Sequence, residues 1–303
     1  MVHASDSAQG RITAHIVGRE RELELLIAAV ATGRDVVLEG PPGTSKTTML
    51  KAITSEWGVP LVLAEGNAEL TPAKLLGYHD PAHVMRSGYN AETFVDGPLV
   101  QAMRAGGFLY IEEFNRAPED TLNALLTAIA DRSIALPRVG LLTAHPTFRV
   151  LASMNPYDNI GTTRLSTSIK DRLCRIDVGY QDAGSEREIV FLRTALDSKD
   201  GLTDRVVRDA VALTRATRVH DDIRQGSSVR GAIDLSLIAA ELLSHRGTGD
   251  PGMGYTQTIL DAMLVSLSGR VSVDEASGAT ATSVLHEIWQ NHFVLSPALA
   301  KPG

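Results

Sequence analysis

Gly40-Pro41-Pro42-Gly43-Thr44-Ser45-Lys46-Thr47 lies between a short apolar run, Asp35-Val-Val-Leu-Glu39, and a helix-forming segment from Thr47 to about Trp57. Strand, loop and helix in that order are what a phosphate-binding loop needs. Glycines let backbone N–H groups close round phosphates, and the helix N-terminus adds its positive end. Lys46 would reach the β- and γ-phosphates as a point charge. The Thr47 hydroxyl would ligate Mg²⁺, with Thr48 beside it in the same first turn. The usual pattern has Gly before the lysine, and here Ser45 stands there. A chance Gly-Pro turn would carry none of the flanking strand, helix or Lys-Thr pair.

Working outward, four more apolar, β-branched-rich runs follow the first: Leu61–Ala64, Phe108–Ile111, Arg149–Ser153 and Arg175–Gly179. Short runs without alternation suit strands buried on both faces of a parallel sheet. Helical spacing fills the intervals at Glu20 to Val30, Thr47 to Trp57, Pro98 to Ala105 and Asp120 to Ala130. The alternation predicts an α/β domain over residues 11 to 180. Two stretches interrupt it. Ser133 to Thr143 reads as a β-hairpin turning near Pro137–Gly140, and Asp80 to Asp96 as a surface insertion. From residue 181 to 303 the pattern becomes amphipathic helix separated by Gly-rich breaks, which predicts a smaller helical domain. Residues 1 to 10 are expected to form a disordered tail.

A phosphate loop needs acidic residues to hold Mg²⁺ and aim the attacking water. Phe108-Leu-Tyr-Ile-Glu112-Glu113 supplies a buried strand ending in two carboxylates, at the sheet end where ligands of open α/β folds bind. Glu112 would assist Mg²⁺, and Glu113 would polarise the water. Asn155, after the fourth strand, can hydrogen-bond a γ-phosphate or that water. Arg172, ahead of the fifth strand, is a candidate arginine finger acting across a subunit boundary. Arg230, in the first turn of a later helix, opposes the helix dipole and is a candidate γ-phosphate sensor. Val17 and Gly18, before the first helix, could pack against an adenine.

The chain has 303 residues, 44% hydrophobic and 21% charged, with net charge −7. That balance argues against a general binder of nucleic acid or anionic membrane. The single cysteine, Cys174, rules out an intramolecular disulfide framework, fits a cytoplasmic protein, and is expected to pack beside the fifth strand. The N-terminal residues lack the pattern of a signal peptide, and no apolar stretch reaches the ~20 residues of a spanning helix. His79 and His83 have metal-ligand spacing, but Pro81 between them disfavours a regular helix.

In their order these motifs resemble the AAA+ ATPases, and within them the MoxR group. Members of that group read close to Gly-Pro-Pro-Gly-x-Ala-Lys-Thr in the loop, so a non-Gly residue before the lysine is expected. Their acidic motif continues into Asn-Arg-Ala-Pro, as Asn115-Arg116-Ala117-Pro118 does here. Later they carry Asn-Pro, a Gly-Thr step and an Asp-Arg pair, matching Asn155-Pro156, Gly161-Thr162 and Asp171-Arg172. The likeness spans residues 16 to 246. It departs at Glu112, where the group usually has Asp.

The resemblance implies a five-stranded parallel sheet in the order 5-1-4-3-2 with a C-terminal helical lid. It also implies ATP with Mg²⁺ bound between subunits of a homo-oligomer, a hexameric ring in this group. The activity implied is ATP hydrolysis driving a chaperone-like remodelling of a protein client, often a metalloenzyme, with a partner bearing a von Willebrand A domain. A nucleotide-gated assembly scaffold that hydrolyses little is the alternative, motivated by Glu112. A nucleic-acid motor is the weakest reading, given the acidic charge and the absence of an appended DNA-binding motif.

Overall fold

The computed structural model describes residues 16–156, 162, 165–246 and 253–295. The expected N-terminal tail, Gly161 and the Gly247–Gly254 break up to residue 252 lie outside the described residues. The chain divides into two compact units between Gly179 and Tyr180.

The first unit is built on five parallel strands: β1 (Asp35–Glu39), β2 (Leu61–Glu65), β3 (Phe108–Glu112), β4 (Arg149–Met154) and β5 (Leu173–Asp177). Their order across the sheet is 2-3-4-1-5, which is 5-1-4-3-2 from the other edge. Alternate side chains of each strand face opposite layers. Val36 and Leu38 of β1, Phe108 and Tyr110 of β3, and Leu151 of β4 pack with Leu23, Met49 and Ile53 from helices Glu20–Ala31 and Lys46–Trp57. Val37, Leu109, Ile111, Val150 and Ala152 face the other layer, with Leu99 and Leu125 from helices Pro98–Ala105 and Glu119–Asp131. β1, β3 and β4 are therefore buried on both faces.

The two edge strands are not. β2 is half-buried at best, and β5 buries only Leu173 and Ile176. Cys174 is consequently exposed on β5 instead of packed beside it. β5 also begins two residues earlier than its apolar run suggests. An edge strand is held by pairing on one side, so its burial does not mark its bounds.

Both interruptions of the α/β pattern form compact pieces. Ser133–Leu136 pairs antiparallel with Gly140–Thr143, as expected for the hairpin. In the other, Gly77–His79 pairs with Phe94–Asp96 around a helix, Pro81–Ser87. Pro81 starts that helix instead of preventing it, because Pro suits the first helical position and Asp80 caps it by accepting from Ala82 N–H. His79 ends the strand while His83 lies on the helix, so the two do not share one helix face. His79 Nδ1 meets Thr93 Oγ1 at 3.1 Å, and its Nε2 donates to the Pro137 carbonyl at 3.0 Å, linking the insertion to the hairpin. At the hairpin's start Arg132 grips buried Asp35 with its two terminal guanidinium nitrogens, at 2.5 and 3.2 Å. Burial pushes the Asp35 carboxyl above its ordinary range, against the Val150 N–H and Arg132, which favour the charged form.

The second unit packs helices Ala183–Thr194, Gly201–Ala216, Val229–Arg246, Met253–Leu267 and Ala281–Gln290, with a short ribbon of Ile223–Gln225 against Ser272–Val273. Val206, Leu213, Leu235, Ile259 and Leu285 share its main core. Glu186 is buried in the same unit, paired with Arg215 and Arg218. Among the described residues, no helix is long and apolar enough to cross a membrane.

Candidate functional site

The site grows from the carboxyl end of β1. Gly40 N–H donates to the Met154 carbonyl of β4, and Val178 N–H, just past β5, donates to the Glu39 carbonyl. The chain thus leaves β1 wedged between its two neighbours. A Cβ at Gly40 would stand 2.1 Å from the Val178 carbonyl oxygen, so no residue but glycine fits. Beyond it, Gly43 (φ 76°) and Ser45 (φ 67°) both take left-handed backbone. Left-handed residues alternating with ordinary ones turn successive N–H groups toward one hollow, the geometry that receives anions.

Ser45 holds a conformation that glycine adopts freely and serine only at a cost of ~1–2 kcal/mol. Ser45→Gly is therefore expected to raise unfolding free energy in urea by about 0.5–1 kcal/mol while nucleotide affinity stays within about twofold.

Lys46 opens the helix that runs to Trp57. Its ammonium donates to the Gly40 carbonyl at 2.8 Å, the Pro41 carbonyl at 2.7 Å and Thr44 Oγ1 at 3.3 Å. Thr44, fully buried, donates in turn to the Pro41 carbonyl at 2.9 Å. The lysine therefore sits inside the curl of the loop, where phosphate oxygens could take over part of its bonding. Pro42 is exposed and Thr48 is half-buried.

Thr47 Oγ1 donates to Glu112 Oε1 at 2.9 Å and lies 3.1 Å from the Tyr110 hydroxyl. The Tyr110 hydroxyl is 2.7 Å from Ser153 Oγ, in the buried layer beneath the loop. Burial pushes the Tyr110 phenol above its ordinary range, opposed by its bonds to Ser153 and Thr47. The Thr47 hydroxyl and the Glu112 carboxylate form an all-oxygen pair beside the loop, the donor chemistry Mg²⁺ takes. With the glycine cradle and the lysine, these residues fit a Mg-nucleotide. Glu112 reaches Thr47 despite being one methylene longer than Asp.

Glu113 follows in left-handed backbone (φ 53°) and starts the short turn Phe114–Arg116. Strain of this kind persists only where the surroundings impose it. Gly66, after β2, imposes it here: its N–H donates to the Glu112 carbonyl at 2.7 Å, and a Cβ there would stand 2.4 Å from the Glu113 carbonyl. The backbone twist separates the two carboxylates, sending Glu112 to Thr47 and Glu113 to Arg116 at 3.2 Å. Asn155 follows β4 directly, and its carbonyl accepts from the Asn115 side chain at 3.2 Å.

The structure therefore brings the loop, Thr47, Glu112, Glu113 and Asn155 to one end of one sheet. The remaining candidates lie on other segments of the chain. Arg172 is exposed at the end of helix Thr167–Arg172, bonded to the Ser168 carbonyl at 3.0 Å. Val17 and Gly18 form a turn, with Ile16 buried before them. Arg230 is exposed in the first turn of Val229–Arg246, in the second unit. Asp171 is exposed beside Arg172.

Tyr110 and Ser153 are the members that reading the sequence as apolar runs passes over. The signal was present in the strand period: Tyr110 shares a face with Glu112 two residues on. His220, Asp222 and Glu287 also approach one another in the second unit. There His220 Nδ1 accepts from Asp222 N–H at 3.2 Å, which leaves the proton on Nε2 facing Glu287 and works against metal ligation.

Residues 35–173 match the family profile of the AAA domain, dynein-related subfamily. The Bacillus subtilis protein YojN is 30% identical over 223 residues, covering 73% of this chain and 72% of its own. The gas vesicle ATPase GvpN of Ancylobacter aquaticus is 26% identical over 286 residues, covering 89% of this chain and 77% of its own. The crystal structure of a Cytophaga hutchinsonii protein, provisionally described as an ATPase, superposes with a TM-score of 0.50 at 20% identity, covering 94% of this chain and 92% of its own.

Proposed function

This chain belongs to the AAA+ ATPases, and from that premise we propose that it is a MoxR-type member that binds ATP with Mg²⁺, hydrolyses it where copies meet in a ring, and thereby remodels a protein client. The observation that carries the reading is the Thr47–Glu112 contact of 2.9 Å beside the Gly40–Lys46 curl. It joins the two halves of a nucleotide site across two strands and a loop. Bound Mg²⁺ would be held by Thr47 with Glu112 nearby, and would neutralise charge developing on the phosphates.

The chain's own groups supply the rest. Gly40, Pro41, Pro42, Gly43, Thr44 and Ser45 wrap the phosphates with backbone N–H groups, save at the prolines, and Lys46 exchanges loop carbonyls for phosphate oxygens. Glu113 Oε takes a proton from the attacking water, and Asn155 orients that water. Arg172 reaches the γ-phosphate of a neighbouring copy, where a fixed cation stabilises the leaving charge. Arg230 serves as a γ-phosphate sensor, and Val17 with Gly18 bounds the base. The client is a metalloenzyme in this reading, served with a von Willebrand A domain partner, in the cytoplasm.

ATP hydrolysis measured against protein concentration tests this. Specific activity should rise as copies associate and vanish when Mg²⁺ is chelated. Tight nucleotide binding with no turnover at any concentration would replace the remodeller with the nucleotide-gated scaffold. The extent of the match to GvpN, across 89% of this chain, favours a second reading in which the cycle serves a gas vesicle. Failure to restore vesicles in a strain lacking GvpN would remove it.

A further inference from the structure

Beneath the phosphate loop, three hydroxyls and a carboxylate form a chain. Ser153 Oγ lies 2.7 Å from the Tyr110 hydroxyl, which lies 3.1 Å from Thr47 Oγ1, which donates to Glu112 Oε1 at 2.9 Å. Each hydroxyl has one hydrogen to give, and an ionised carboxylate can only accept. The direction of the chain follows from its end. Thr47 commits its only hydrogen to Glu112, so Tyr110 must donate to Thr47. Tyr110 has then no hydrogen left, so Ser153 must donate to Tyr110. The oxygen of Thr47 accepts once from Tyr110 and keeps one lone pair.

This arrangement matters because a threonine side chain divides between staggered χ1 rotamers that aim its hydroxyl in different directions. At Thr47 the two partners act together against that division: Glu112 takes the hydrogen and Tyr110 supplies another. Tyr110 is 1% exposed and locked in the core layer shared by β3 and β4, so its hydroxyl is a fixed point.

We propose that Tyr110 is a positioning residue, whose donated hydrogen holds the Thr47 hydroxyl in the one rotamer that leaves a lone pair for the divalent cation accompanying the nucleotide. The proposal rests on the reading of Gly40–Thr47 as a Mg-nucleotide site. It assigns a task to a tyrosine buried beneath the loop.

Titration calorimetry of ADP on the full chain, with and without Mg²⁺, tests it through binding alone. Tyr110→Phe is expected to lower the Mg²⁺-dependent gain in affinity about tenfold, the worth of one hydrogen bond to a cation-ligating group, while metal-free affinity stays within about twofold. Phe fills the same volume, and the metal-free affinity reports that the variant is folded. Ser153→Ala should keep the gain within about threefold, because Tyr110 still has its own hydrogen for Thr47. A native-like gain in Tyr110→Phe overturns the proposal. So does a loss in Ser153→Ala as large as that in Tyr110→Phe, since packing and not the donated hydrogen would then be responsible. Thr47→Ala separates the proposal from its premise. If Thr47→Ala abolishes the gain and Tyr110→Phe does not, only the positioning role falls. If Thr47→Ala keeps the gain, the site reading falls with it.

Discussion

Glu113→Gln is expected to lower ATP turnover by about 10²–10⁴-fold while ATP affinity changes by no more than about twofold. The amide keeps the size and polarity of the side chain and removes only its capacity to accept a proton. The geometry predicts this split because the two carboxylates have already diverged. Glu112 is committed to Thr47, and Glu113, in left-handed backbone fixed by Gly66, points elsewhere. Binding should therefore survive the loss of Glu113, and chemistry should not. Steady-state hydrolysis set beside equilibrium nucleotide binding checks it. An equal fall in both quantities would mean that Glu113 holds the ligand and some other group activates water. The Arg116–Glu113 pair, both partners well exposed, is a surface contact of small energy and would not mask the result.

Gly40→Ala should be among the most damaging small substitutions in the first unit. Its Cβ would stand 2.1 Å from the Val178 carbonyl, a backbone atom that cannot rotate away. Relief requires β1 and the chain after β5 to part, which breaks the Val178–Glu39 hydrogen bond of 2.7 Å. Overpacking of this kind costs about 3 kcal/mol. The loop that springs from Gly40 would shift with it, and the loss of two charge-assisted contacts to phosphate weakens nucleotide binding by about a hundredfold. Gly179→Ala is the matched control, at the same junction with no atom within 4 Å of the place its Cβ would take. Its effect should stay within about 0.5 kcal/mol. Urea unfolding and nucleotide titration of the two variants side by side decide the matter.

Much of this site is legible in the sequence because its parts are local. A five-residue strand with three apolar residues at its centre, a glycine-rich loop and a Lys-Thr pair occupy adjacent positions, so their spacing alone predicts the geometry. The sheet order is legible for a different reason: it comes with the resemblance, and Val36 pairing with both Leu151 and Cys174 confirms where β1 lies. What escapes depends on contacts between distant segments. Nothing near Cys174 says that its strand is an edge, so its exposure cannot be foreseen. Tyr110 counts as one apolar residue among several in its run, although its hydroxyl meets Thr47, 63 positions away. Pro81 reads as the breaker of one helix and not as the start of another, because the cap at Asp80 becomes visible only with the backbone in place.

The bond from His79 to the Pro137 carbonyl makes one mechanical piece of two segments that are far apart along the chain. The first carries Met85 and Tyr89 and the second Leu141, all well exposed. Tension applied to any of these side chains is shared by both segments. From the hairpin it passes through Arg132 into Asp35, the first residue of β1, whose last residue precedes Gly40. A load on the outer surface thus has a taut route, through one strand, to the place where phosphate would be held.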